Sequence, residues 1–113
     1  MNLDISTQDG ATVVTLLDRR LDAEGAPGLR SQIGALVDGG ARRLVMDLSR
    51  LRFLDSSGLG ALVSTLRRTG GAVALVLPPG ENAVTDVIRI TRMHRVFDIY
   101  PTVAEAIKRV ADV

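Results

Sequence analysis

Residues 43–66 read RLVMDLSRLRFLDSSGLGALVSTL, and they combine two different hydrophobic periods. The first part, 43–48, is a mostly apolar run of the length expected for a strand that is buried on both faces. After a connector, apolar residues recur at helical spacing at Leu59, Leu62, Val63 and Leu66. A buried strand followed by an amphipathic helix is the unit from which parallel α/β sheets are built.

The segments before this unit predict a hairpin and a helix. Residues 3–6 and 11–17 have extended character, and the Asp9-Gly10 pair between them is a strong hairpin signal. We expect 19–22 to be a connection. A helix begins at about Ala23, because apolar residues then recur every three or four positions, and Gly39-Gly40 ends it.

The segments after the unit continue the alternation of strands and helices. The predicted elements are a buried strand at 72–77, a helix at 81–90 and a short extended segment at 96–100. The last helix starts near Thr102, whose hydroxyl group stands three residues before Glu105 and predicts a capping box. Residues 49–55 are expected to form a connector.

The element order predicts an α/β fold, with residues 1–113 forming a single domain. The sheet is mixed and four- to five-stranded, it has an N-terminal β-hairpin, and it packs with about four helices. Binding sites in open sheets of this kind collect at the carboxyl ends of the parallel strands. We therefore expect the functional site within 49–60.

Composition and charge exclude several classes of protein. The net charge of +1 is too small for the basic surface that nucleic-acid binding requires. The chain has no cysteine, so disulfides, thiolate catalysis and cysteine-ligated zinc are excluded. We see no signal peptide and no apolar run of the ~20 residues that span a bilayer. The expectation is a cytoplasmic protein without membrane insertion.

The turn Asp55-Ser56-Ser57-Gly58-Leu59-Gly60 is the one segment that suggests a site. Aspartate and serine at a helix start can cap free backbone N–H groups, and capping alone would explain any one of the three polar residues. Two glycines in a first turn are not required for capping and disfavour the helix by about 1 kcal/mol each. We expect them to leave the serine hydroxyl groups open to a flat protein surface.

Known catalytic motifs do not fit the sequence. A dinucleotide fingerprint would need glycine where Val63 stands, and a nucleophile elbow around Ser56 would need glycine in place of Leu54. There is no Walker A pattern, and His94 is the only histidine. We predict no catalytic residues, no metal and no cofactor, so that the protein is not an enzyme. A small enzyme or nucleotide binder on a flavodoxin-like layout is the disfavoured alternative.

Residues 47–62, DLSRLRFLDSSGLGAL, closely resemble the signature of STAS domains, especially those of bacterial anti-sigma factor antagonists. The resemblance covers nearly the whole chain and implies the STAS fold. It extends to Arg20-Leu21-Asp22-Ala23, to 43–48, to Val96-Phe97 and to Ala104-Glu105-Ala106. Two positions depart from the family pattern. The family often has glycine where Arg19 stands, and glycine-leucine is more usual within Arg92-Met93-His94.

The resemblance implies a partner-switching role in transcription regulation. Members bind an anti-sigma factor, often a serine kinase of the histidine-kinase-like ATPase type, and so free a sigma factor. That kinase inactivates them by phosphorylating the second serine of the turn, here Ser57, with Ser56 as the second choice. A PP2C-type serine phosphatase reverses the modification. The residues implied in partner binding are Asp22, Asp55, Ser56, Ser57, Gly58, Leu59 and Gly60.

A second reading keeps the fold and changes the partner. STAS domains also serve as stressosome scaffold parts and as accessory subunits of lipid-transport ABC systems, without sigma-factor regulation. The intact Asp-Ser-Ser-Gly turn favours the antagonist role.

Overall fold

A computed structural model describes residues 1–111, so the predicted domain extends two residues beyond the described part. The strands are β1 (Leu3–Gln8), β2 (Ala11–Leu16), β3 (Arg20–Leu21), β4 (Leu44–Asp47), β5 (Phe53–Leu54), β6 (Val73–Val76) and β7 (Asp98–Tyr100). The helices are α1 (Ala26–Asp38), α2 (Ser56–Arg68), α3 (Ala83–Ile90) and α4 (Val103–Ala111), with a 3₁₀ turn at Met93–Arg95.

The main sheet has five strands in the order β1-β2-β4-β6-β7. Strand β1 is antiparallel to β2, and the other neighbours are parallel, which confirms the predicted mixed sheet with its hairpin. Asp9 (φ 51°) and Gly10 (φ 81°) both adopt the left-handed conformation in the two-residue loop. A loop with both residues at positive φ matches the twist of the paired strands.

Helices cover both faces of the sheet. On one face, α1, α2 and α3 contribute Leu29, Leu62 and Ile88 to a core that includes Leu44 and Met46 of β4. On the other face, α4 packs against Val45 and the alternate residues of the neighbouring strands. Successive side chains of a strand point to opposite faces, so a strand covered on both sides must be apolar throughout. This is why 43–48 lacks alternation.

Two segments that were predicted to be connections form a second, small sheet, and that prediction was wrong. Strand β3 pairs in parallel with β5, Arg20 opposite Phe53 and Leu21 opposite Leu54. Leu54 is buried, as is Leu51 before it, whereas Phe53 is 39% exposed. Strands of two residues show no periodicity, and their partner lies far along the chain. The pairing places the start of α2 directly beside β3.

The helix ends differ at one position. After α2, the C-cap residue Thr69 is followed by Gly70 at φ 61°, the left-handed conformation that usually closes a helix. After α3, Thr91 is followed by Arg92, also at φ 61°. The usual glycine is therefore replaced by a residue with a Cβ atom, for which this conformation is unfavourable by about 1–2 kcal/mol.

Replacing Arg92 with glycine is expected to raise the free energy of unfolding by about 0.5–1 kcal/mol, because it relieves this strain against a smaller entropic loss. Chemical denaturation would measure the change as a shift of the midpoint with an unchanged slope. Arg95→Gly is the control. Arg95 is not among the positive-φ residues, so glycine there should destabilise the protein. Equal destabilisation by both variants would contradict the strain at Arg92.

Candidate functional site

The first turn of α2 is capped by Asp55. Its backbone is extended (φ −108°, ψ −175°), and its Oδ1 atom accepts a hydrogen bond of 2.9 Å from the N–H of Gly58. Ser56 and Ser57 therefore occupy the first two helical positions and not the cap. Backbone N–H groups at these positions have no carbonyl of a preceding turn to bind, and they lie at the positive end of the helix dipole. The turn is suited to an anionic group on a serine.

The six residues of the turn differ in exposure. Ser56 is exposed, and Ser57, Leu59 and Gly60 are partly buried. Gly58 is buried, so it can shape a docking surface only by setting the position of the helix. Ser56 is thus the more exposed of the two serines.

The structure gives Gly58 a packing role that the sequence did not predict. A Cβ atom at this position would lie 2.9 Å from the carbonyl carbon of Leu21 and 2.8 Å from Cδ1 of Leu54, and it would clash still more closely with the carbonyl oxygen of Leu21. Glycine is therefore needed for the close approach of α2 to β3. That Gly58 also leaves the serines open to a partner stays a prediction.

Gly60 faces a different neighbour. A Cβ atom there would meet only Nη2 of Arg30, at 2.8 Å. The guanidinium group of Arg30 on α1 thus lies over the first turns of α2. This places a cation close to the serine turn, an arrangement that the sequence did not predict because α1 and α2 are brought together only by tertiary packing.

Asp22 follows β3, next to the Leu21 carbonyl group that contacts α2. Its Oδ1 atom accepts hydrogen bonds from the N–H groups of Glu24 (3.2 Å) and Gly25 (3.3 Å), and its Oδ2 atom lies 3.3 Å from Nε of Arg20. Desolvation raises the pKa of Asp22, but these hydrogen bonds and the charge of Arg20 outweigh it and lower the pKa below its ordinary value. The resulting stabilisation is present above the pKa of the unfolded chain and is lost as the pH falls through the lowered value.

Phe53 is the exposed aromatic residue beside the turn. The guanidinium carbon of Arg20 lies 4.2 Å from the centre of its ring, so that the two side chains form a cation–π pair on the edge of the small sheet. Arg20 links this pair to Asp22. The predicted site residue Asp22 is therefore part of a polar edge that adjoins the turn, and its contact with a partner stays a prediction.

A groove runs along α2 from the serine turn. It has a volume of about 570 Å³ and is lined by Arg30, Ser56, Leu59, Gly60, Val63, Ser64, Arg67 and Met93. The α2 residues follow the three-and-four spacing of one helix face, which could have been found from the sequence. Arg30 and Met93 come from other elements and could not.

The structure does not bring His94 into this groove's lining. His94 lines a different cleft, together with Arg89 and Tyr100, at the ends of β6 and β7. Within residues 1–111, no three side chains of the histidine, cysteine, aspartate or glutamate type come together in a manner that could hold a metal ion. In the same part of the chain, no helix combines the length and the apolar character needed to cross a membrane.

Comparison with known proteins agrees with this geometry. The family model of the STAS domain matches residues 2–106. BtrV of Bordetella bronchiseptica, provisionally described as an anti-sigma factor antagonist, is 30% identical over 102 residues, which cover 88% of this chain and 85% of that protein.

Solved structures share the fold. An anti-sigma factor antagonist from Mycobacterium paratuberculosis is 32% identical and superposes with a TM-score of 0.84 over 96% of this chain and 92% of its own. The anti-sigma factor antagonist SpoIIAA in its unphosphorylated form is 22% identical, with a TM-score of 0.68 over 99% of this chain and 100% of its own, and it shows the fold alone. The match of the family model to most of the chain, together with the arrangement of the sheet and the serine turn, shows that this protein belongs to the STAS domain family.

Proposed function

We propose that the protein is an anti-sigma factor antagonist that is switched by phosphorylation of Ser57. In its unphosphorylated form it binds an anti-sigma factor with serine kinase activity, and this binding frees a sigma factor. Transfer of a phosphoryl group to Ser57 ends the binding, and a PP2C-type phosphatase restores it. The protein contributes no catalytic group of its own. The similarity to the Mycobacterium paratuberculosis and Bordetella bronchiseptica proteins supports the role.

The observation that carries the proposal is the position of Ser57 at the second residue of α2, behind the Asp55 cap. The serine oxygen would form a bond to the γ-phosphorus of ATP while the bond to ADP breaks, and the hydroxyl proton would leave to a base of the kinase. The product carries about −1.5 to −2 charges at pH 7. Free N–H groups and the helix dipole favour such an anion at this end of α2.

The same position predicts where the effect of phosphorylation falls. Because the first turn accommodates the anion, the fold changes little. The partner surface changes much, since a dianion that was not there before must be desolvated or repelled on binding. A SpoIIAA structure in the phosphorylated form exists beside the unphosphorylated one, and this supports a fold that persists in both states.

The test is phosphorylation with ATP by serine kinases of the histidine-kinase-like ATPase type from the host, followed by intact-mass measurement and peptide mapping. We expect one phosphoryl group on Ser57, and loss of kinase binding in a parallel pull-down. The Ser57→Ala variant should remain unmodified and bound, while Ser56→Ala should still be modified.

The other outcomes separate the alternatives. A phosphoryl group on Ser56 would move the switch by one residue, to the more exposed hydroxyl group. Stable binding without any phosphorylation would overturn the switch and favour a scaffold role. Recovery of a permease or transport ATPase in place of the kinase would favour the accessory role in lipid transport.

A further inference from the structure

The groove along α2 is lined by both apolar side chains and guanidinium groups, a combination that neither a packed core nor a solvated surface requires. Its apolar part consists of Leu59, Val63 and Met93, all partly buried. Arg30 and Arg67, both exposed, belong to the same lining. Apolar surface beside guanidinium groups is typical of the anchoring part of a protein interface, where arginine is enriched.

Both arginines are available for a partner. Among residues 1–111, the ion pairs are those of Arg20 with Asp22 and of Arg109 with Asp98, and no carboxylate pairs with Arg30 or Arg67. Arg30 lies near the serine turn, since its guanidinium group is close to Gly60, where a Cβ atom would meet it at 2.8 Å. The groove therefore presents one guanidinium group near the serine turn, that of Arg30, and a second, that of Arg67, at the other end of α2.

We propose that this groove takes an acidic, amphipathic segment of the anti-sigma factor, with carboxylates on Arg30 and Arg67 and apolar side chains on Leu59, Val63 and Met93. The inference rests on the proposed function for the identity of the partner and extends the contact surface well beyond the serine turn. Planar guanidinium groups can bind carboxylates through two parallel hydrogen bonds, which also fixes the register of the segment.

The location of Arg30 adds a second link to the switch. Ser57 does not line the groove, but it stands three residues before Gly60 on α2, so a phosphoryl group on Ser57 lies on the same end of the helix as the guanidinium group of Arg30. Such a group would compete with the partner's carboxylates for Arg30. Phosphorylation would then weaken the groove contact as well as the turn contact.

The first experiment measures the affinity of the kinase identified above for Arg30→Glu, Arg67→Glu and the double variant. We expect each single reversal to weaken binding by about tenfold and the double by about a hundredfold, with a weaker dependence on salt. Arg42→Glu is the matched control, because Arg42 is an exposed arginine before β4 that lines a different cleft, and it should bind within about twofold of the wild type. Glutamate-to-arginine changes in the partner segment should restore binding to the double variant.

A second experiment does not depend on that partner. The amide chemical shifts of the full chain are measured by NMR during titration with two synthetic helical peptides. One peptide consists of leucine and glutamate, and the other consists of leucine and lysine. Shifts near Leu59, Val63 and Arg67 with the glutamate peptide, absent with the lysine peptide and in the double variant, support the groove.

Unchanged kinase binding by the double variant, or a loss equal to that of Arg42→Glu, would overturn the proposal. The proposal would also be overturned if the wild type binds phosphatidylserine vesicles and the double variant does not, while the double variant still binds the kinase. The groove would then take a membrane surface and not a segment of the kinase. The two proposals fail separately. If Ser57→Asp binds normally while Arg30→Glu does not, the switch is wrong and the groove stands, and the reverse result removes only the groove.

Discussion

Replacing Gly58 with alanine is expected to lower the free energy of unfolding by about 3 kcal/mol. The added methyl group would meet the Leu54 side chain and the carbonyl carbon and oxygen of Leu21. The two Leu21 atoms belong to the backbone and cannot rotate away. Either α2 moves off β3 or the small sheet separates. Urea denaturation should show an earlier midpoint, and the melting temperature should fall by more than about 10 °C.

Gly60→Ala is the matched control for this prediction. It lies in the same helix, and its new methyl group would meet only the end of the flexible Arg30 side chain. Alanine is the better helix former by about 1 kcal/mol, so Gly60→Ala should be as stable as the wild type or more stable. If Gly58→Ala unfolds at the wild-type midpoint, the close approach of α2 to Leu21 does not fix the turn.

Replacing Ser57 with aspartate is expected to weaken binding of the anti-sigma factor kinase by more than about a hundredfold, equivalent to about 3 kcal/mol. The fold should be unaffected, because a carboxylate at the second position of a helix is favoured by about 0.3–1 kcal/mol. Calorimetric titration would measure the affinity, and a thermal melt of the same sample would measure the stability.

The control for the added charge is Ser6→Asp. Ser6 is an exposed residue of β1, toward the hairpin end of the sheet and away from the serine turn, and its replacement should leave the affinity unchanged. Equal loss of affinity in both variants would make the effect one of net charge. A collapsed melt for Ser57→Asp would show that the charge acts on the fold and not on the partner surface.

Most of the main sheet could be predicted from the sequence because its signals are local. Asp9-Gly10 fixed the hairpin, continuous apolar runs indicated β4 and β6, and glycine pairs marked the ends of α1 and α2. The capping box at Thr102 is present in part, since its hydroxyl oxygen accepts a hydrogen bond of 3.2 Å from the N–H of Glu105.

The predicted starts of α1 and α3 were less accurate, because a turn bound by a polar side chain stands where the first helical turn was expected. The structure begins α3 at Ala83, because the Asn82 side chain accepts a hydrogen bond from the N–H of Thr85 and so ends the extended segment there. It begins α1 at Ala26, after a turn whose N–H groups bind Asp22. In both places a polar side chain, and not the apolar period, decides where the helix starts.

The sequence predicted the part of the site that lies in one continuous segment, and it did not predict the contacts that distant segments make with it. Residues 55–60 were located correctly at the carboxyl ends of the strands, where α2 begins. The contact of Gly58 with Leu21, and the position of Arg30 over Gly60, join residues that are distant in the chain. No local pattern encodes such contacts, since they arise from the pairing of β3 with β5 and the packing of α1 on α2.

The small sheet also has a consequence for the time at which the protein becomes competent during synthesis. Leu21 and Leu54 pair across an interval that contains all of α1 and β4. Closing a loop of this length is opposed by chain entropy and slows folding relative to local contacts. The turn can reach its final shape only after the first half of the chain has assembled, so a nascent or misfolded copy lacks the surface that the proposed partner would bind. The concentration of chains that can bind a partner is then the concentration of completely folded chains.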